Sequence, residues 1–134
     1  LMHALAQTAT QELNEAITKA VQNAESHTEG LRLALGATIP LANRQWFLAH
    51  EDLENDPEIA AAYEQEMKEL REAIEEAREE GTFASDVPAK WIVEAYENLT
   101  YAAWSLVRDK ELTPTQAADL AWRTLTDGLK GETR

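Results

Sequence analysis

Few side chains in this 134-residue sequence have the types and spacing that metal binding requires. His50 and Glu54 lie four residues apart, a spacing that brings two ligands to the same face of a helix. A third ligand is needed, and neither His3 nor His27 is placed along the chain to supply it. The segment 50–54 also differs from the two-histidine zinc motif. Since an exposed acidic helix end explains the segment more simply, we expect no metal site.

Residues for covalent or cofactor-dependent catalysis are also missing from the sequence. The chain has no cysteine, and Ser26, Ser85 and Ser105 lie in no nucleophile elbow or glycine-rich context. No glycine-rich loop that could hold a phosphate is present, and the paired Glu-x-x-His motifs of carboxylate-bridged metal bundles do not occur. We therefore expect a protein that is not an enzyme and that carries no cofactor.

Hydrophobic periodicity and helix-breaking residues predict an all-α bundle of about six helices in one domain. Asp56-Pro57 and Thr113-Pro114 are start signals, Pro40 and Gly81 are stop signals, and Asp86 is expected to cap the helix that follows it. The predicted helices cover approximately residues 1–24, 28–41, 43–53, 57–80 and 88–109, with a last helix that starts at 114 and ends near Gly128 or Gly131.

The charge is large, negative and unevenly distributed. The net charge is -13, which opposes binding to a nucleic-acid backbone by this chain itself. Residues 56–80 contain ten acidic and three basic residues. The segments 88–108 and 115–130 each contain two acidic and two basic residues, so their charges cancel. We therefore expect the acidic helix to face water and the two neutral helices to face protein. No apolar run approaches the ~20 residues that cross a membrane, and no signal peptide is visible, so we expect a cytoplasmic protein.

Small residues repeat along the last predicted helix. Ala117, Ala121, Thr124 and Gly128 follow one another at spacings of four, three and four, which places them on one helical face. This face is suited either to packing on the preceding helix or to a two-fold interface in which the last two helices of each chain form a four-helix bundle. The neutral charge favours the interface, for which the candidate residues are Trp104, Ala117, Ala121, Thr124, Leu125 and Gly128.

Two stretches resemble a known family. Residues 81–88, Gly-Thr-Phe-Ala-Ser-Asp-Val-Pro, precede Trp91, and residues 125–129, Leu-Thr-Asp-Gly-Leu, lie near the chain end. With the order and lengths of the helices, they resemble the C-terminal half of TetR-type (tetracycline-repressor-like) regulators. The resemblance implies a connector helix at 1–25, a ligand-binding core at 28–81 and dimerisation helices at 87–130. The family's helix-turn-helix head has no counterpart here, and because the chain starts in mid-helix we expect that head to be missing from it.

The resemblance implies a homodimer whose affinity for operator DNA, bound only through the missing heads, changes when a hydrophobic or aromatic effector binds. Leu5, Leu13, Ile17 and Val21 of the connector are expected to transmit the change. Aromatic side chains on several helices could either fill the core or line a cavity. The candidate pocket residues are Leu33, Ala37, Trp46, Phe47, His50, Tyr63, Met67, Tyr96, Leu99 and Ala103. The alternative is an α-helical protein–protein interaction module without a pocket, in which the aromatic residues form a tight core.

Overall fold

The computed structural model describes residues 2–41, 57–129 and 131, and within these ranges the chain is helical with no strand. The helices are α1 (Met2–Val21), α2 (His27–Thr38), a short 3-10 helix (Ile39–Leu41), α3 (Pro57–Glu79), α4 (Ala89–Arg108) and α5 (Pro114–Asp127). The all-α prediction is therefore confirmed. The helix predicted at 43–53, with Trp46, Phe47 and His50, lies outside the described residues.

Local chemistry explains where most of these helices begin and end. The Thr113 side chain accepts a hydrogen bond from Gln116 N, and the Gln116 side chain accepts one from Thr113 N, which makes a complete capping box at the start of α5. Gly81 follows α3 and Gly128 follows α5, both with positive φ (91° and 80°), a conformation that glycine adopts without steric cost. The prediction for Asp86 was wrong, because α4 is preceded directly by Pro88 and receives no side-chain cap.

The packing is organised around α2, which contacts α1, α3 and α5. Its buried residues enter two clusters. Leu35, together with Ile39 of the following 3-10 helix, packs with residues of α4 and α5. Leu31 packs with Ile74 of α3, Phe83 and the first turns of α4. Tyr96 and Trp122 pack against both clusters and so join them. Each fully buried aliphatic side chain stabilises the fold by about 1.5–3 kcal/mol, so this central helix holds the bundle together.

Two aromatic side chains of α4 also bind the backbone of α2. The Tyr96 hydroxyl donates to Leu31 O at 2.8 Å, and Trp104 Nε1 donates to Thr38 O at 3.2 Å. Thr38 ends α2, where carbonyl groups lack partners within the helix, so Trp104 supplies a missing donor. Burial raises the pKa of Tyr96, which therefore stays protonated and able to donate. These bonds fix the position of α4 along α2.

One carboxylate joins the start of α2 to the end of α3. Glu80 Oε2 accepts from His27 N at 2.9 Å, and its Oε1 accepts from the Thr28 backbone N–H and hydroxyl at 3.0 and 2.7 Å. The two backbone N–H groups belong to the first turn of α2, which has no intrahelical acceptors for them. The Thr28 hydroxyl first, and then the backbone N–H groups, lower the pKa of Glu80 to about 2. Glu80 therefore acts as a charged cap supplied by another helix.

Candidate functional site

An open cleft of about 720 Å³ lies between α1 and the start of α3. Polar side chains of α1, most of them uncharged, such as Gln7, Gln11 and Asn14, form one wall, and Ile59 and Ala62 of α3 belong to the other. A smaller cavity of about 250 Å³ lies between α2 and α5, with Leu33 and Trp122 in its lining. Trp46, Phe47 and His50 lie outside the described residues; of the seven predicted pocket residues that are described, Leu33 alone lines either of these two cavities.

The other described members of the predicted pocket set are distributed between the core and the surface. Tyr96, Leu99 and Ala103 come together, but they do so as packed members of the cluster around Leu35. Met67 packs partly buried against the second cluster, and Ala37 is half-buried. Tyr63 is 48% exposed on α3. The aromatic and aliphatic residues in this part of the chain therefore contribute mainly to the core, which is the simpler of the two interpretations that the sequence allowed.

The predicted interface residues point largely into the chain's own core. Trp104, Ala117 and Ala121 are buried together against Leu35 of α2 and Ile39 of the 3-10 helix. The two alanines let α5 approach closely, since a larger side chain at either position would collide with α2 or α4. Thr124 and Leu125 are half-buried, and Gly128 is exposed just beyond the end of α5. The small-residue face thus packs within one chain, and a partner would have to contact another surface of the same two helices.

An exposed apolar surface that the sequence analysis missed lies on the outside of α4. Trp91 is 70% exposed and Leu106 is 38% exposed, and Ala95 and Ala102 fall between them on the same side of the helix. We refer to Trp91, Ala95, Ala102 and Leu106 as the outer face. On the neighbouring α5, Leu120 is 43% exposed. The spacing of 4, 7 and 4 residues along α4 was the signal that could have identified this face.

A second feature that was missed is a carboxyl group in the contact between α3 and α4. Oε1 of Glu66 is buried and has no hydrogen-bond partner among the described residues. Glu97 on α4 acts on it electrostatically, and Oε2 of Glu97 accepts a hydrogen bond from the Tyr63 hydroxyl at 2.9 Å. Burial first, and then the charges of Glu69 and Glu97, raise the pKa of Glu66 to about 7. Its position between Ala62 and Ala73 on the packed side of α3 was the signal in the sequence.

Neither metal-binding nor membrane-spanning features occur in the described part of the chain. No group of three or more His, Asp or Glu side chains is arranged there to hold a metal ion. His50 and Glu54, the pair considered from the sequence, lie outside the described residues. None of the described helices is long and apolar enough to cross a membrane.

Comparison with protein-family models, with curated proteins and with solved structures finds no match to this chain. Two features carry chemical or binding potential. The outer face of α4 is suited to contact with another protein surface, and the buried carboxyl group of Glu66 is suited to holding or releasing a proton near neutral pH.

Proposed function

We propose that this chain is the ligand-sensing and dimerisation domain of a cytoplasmic TetR-type transcriptional regulator. The observation that carries the proposal is the outer face of α4, an exposed apolar surface on one of the two neutral helices of a strongly acidic chain. Exposed apolar surfaces of this kind mark contact sites between proteins. The order of the helices agrees with the family resemblance. Gly81 and Gly128 follow the ends of two helices, which agrees with their positions in the two motif stretches.

Charge favours a second copy of the chain as the partner on this face. Two copies with a net charge of -13 each repel one another at long range. A two-fold interface brings each surface against itself, so it has to be built where the charge is close to zero. Within α4, Lys90 and Arg108 balance Glu94 and Glu97. The proposed dimer therefore buries Trp91 and Leu106, with Leu120 of α5 at the border, while Trp104, Ala117 and Ala121 support the helices from beneath.

The arrangement of α1 is consistent with a connector that moves relative to the sensor core. Ala9 and Leu13 are buried, and Ile17 and Val21 are half-buried, while the contacts of α1 are made mainly with α2 and only slightly with α3. The side chain of Leu5 is not among those described. An effector that binds beside α1 and prefers one of its orientations would shift the DNA-binding heads in the full-length protein. Only a difference in affinity between the two orientations can produce such a shift.

The first test is the mass of the chain in solution, measured by light scattering at micromolar concentration. The proposal predicts a dimer of about twice 15.0 kDa. The second test is a thermal-shift screen with hydrophobic and aromatic small molecules, since a ligand that binds only the folded state raises the melting temperature. A chain that remains monomeric up to about 100 µM would contradict the dimerisation half of the proposal, whatever the ligand screen shows.

A protein–protein interaction module without a small-molecule pocket is the second candidate. The observation that favours it is that Tyr96, Leu99 and Ala103, which were expected to line a cavity, are packed in the core. In that case the outer face of α4 binds a different protein, and the acidic α3 attracts a basic one. A monomer that gains no thermal stability from any small molecule would favour this candidate over the sensor.

A further inference from the structure

The contact between α3 and α4 contains a carboxyl group at a position where the helix otherwise presents apolar residues. Glu66 follows Ala62 by one turn and precedes Leu70 by one turn, and both of these neighbours are half-buried. Its Oε1 is shielded from solvent and accepts no hydrogen bond from any described residue. A buried carboxylate without a donor is strongly destabilised, whereas a neutral carboxylic acid in the same place is much less so.

The charges around Glu66 disfavour its ionised form. The charges of Glu69 on the same helix and of Glu97 on α4 both raise the pKa of Glu66. None of the ion pairs between described residues includes Glu66. The hydroxyl of Tyr63, which lies one turn before Glu66 on α3, donates its hydrogen bond to Glu97. Glu94 and Tyr101 lie on the same side of α4 as Glu97. Both interact electrostatically with Tyr63, and Glu97 interacts in the same way with Tyr101. On α1, the charged side chains in the adjoining cleft are Glu15 and Lys19.

We propose that Glu66 is a proton-controlled latch between α3 and α4. When protonated, its carboxyl group packs against α4 as a neutral side chain. When ionised, it places a second negative charge beside Glu97, and the contact between the two helices loosens. The latch depends only on the α3–α4 contact, so it operates whether or not the chain senses a small molecule.

The direction of the pH effect follows from the environment of the group. Burial and the neighbouring carboxylates raise the pKa of Glu66 from an ordinary value of 4.5 to about 7. Between these two pH values, Glu66 keeps its proton in the folded chain but has released it in the unfolded chain. The stability of the folded chain therefore falls as the pH rises from about 5 to 8. For a domain of this length we expect the melting temperature to decrease by about 5–10 °C between pH 5.5 and pH 8.5 because of this one group.

The experiment compares the melting temperatures of the wild type, Glu66→Gln and Glu75→Gln over that pH range. Glutamine has the shape of a protonated glutamate, so Glu66→Gln should lose most of the decrease and should be more stable than the wild type at pH 8.5. Glu75 is exposed on the same helix, and Glu75→Gln should retain the wild-type decrease. A Glu66→Gln variant with the same pH dependence as the wild type would overturn the proposal.

The decisive result of a second measurement comes from the wild type alone. Carbon-13 NMR of the wild-type side-chain carboxyl groups, assigned with Glu66→Gln or by through-bond experiments, gives the titration midpoint of each glutamate. We expect Glu66 to titrate near neutral pH and Glu97→Gln to lower that midpoint by removing the facing charge. A Glu66 midpoint in the ordinary range near 4.5 would refute the latch directly, because the carboxyl group would then be ionised at every physiological pH.

Discussion

Replacement of Trp91 by glutamate tests the outer face of α4 most directly. The side chain is 70% exposed, so it contributes little to the folding of a single chain. Trp91→Glu should therefore leave the helical content and the unfolding free energy almost unchanged, within about 1 kcal/mol. In the proposed dimer the same change removes an aromatic anchor from both copies and places two additional negative charges in the interface.

The size of the effect can be worked out from the exposed area. A tryptophan side chain buries ~200 Å² when fully covered, and 70% of that is ~140 Å². At about 25 cal/mol per Å² of apolar surface, covering this area stabilises the dimer by about 3.5 kcal/mol per copy. Even if the partner covers only half of it, the two copies together contribute about 3.5 kcal/mol, which is roughly a 300-fold change in Kd. The added like charges weaken the dimer further.

The assay is sedimentation equilibrium or light scattering across a concentration series, which yields Kd for the wild type and the variant. Ala61→Glu is the matched control, because Ala61 is exposed on α3 and the substitution adds the same charge away from the outer face. We expect Trp91→Glu to weaken the dimer at least ~100-fold and Ala61→Glu to change Kd by less than about 3-fold. Equal effects from the two variants would mean that charge alone matters and that the outer face is not the interface.

Two further predictions concern the helix ends. Thr113→Ala removes the capping box with Gln116 and should lower the unfolding free energy by about 1 kcal/mol in urea, whereas the control Thr115→Ala should change it by less than about 0.5 kcal/mol. The pKa of Glu80 is lowered to about 2, so the stabilisation it gives is present above about pH 4.5 and disappears as the pH falls towards 2. Glu80→Gln should therefore melt below the wild type at pH 6 but level with it near pH 2, unlike Glu79→Gln, which should match the wild type at both values.

The helix ends that could be predicted from the sequence are those set by residues close together in the chain. Pro57 and Thr113 mark helix starts, and Pro40 and Gly81 mark helix ends, because each acts on backbone groups within one turn of itself. The prediction for Asp86 failed because this residue lies two positions before Pro88, which takes the capping position of α4. The charged cap that Glu80 supplies to α2 could not be predicted, since the two partners are separated by more than fifty residues.

The candidate site was harder to predict because periodicity identifies the residues that share a face but not what that face meets. Ala117 and Ala121 share a face, as expected, yet the face meets α2 of the same chain. Tyr96 likewise lies on an apolar face, but its hydroxyl donates to Leu31 O inside the core. Glu66 shows the opposite error. Because it is charged it was counted with the solvated acidic side of α3, although its register puts it beside Ala62 and Ala73.

The pattern of charges on α4 gives a final argument that the outer face has a partner. All four charged residues of this 20-residue helix, Lys90, Glu94, Glu97 and Arg108, fall on one narrow strip when 3.6 residues make a turn. On one side of the strip lie the core residues around Ile92, and on the other lies the outer face that contains Trp91. A helix at the surface of a monomer presents one apolar stripe to its core and a broad polar face to water. Two apolar sides require two neighbours. Its neighbours within the chain, α5, α3 and the 3-10 helix, leave Trp91 70% exposed, so the outer face of α4 is expected to be covered by a second molecule.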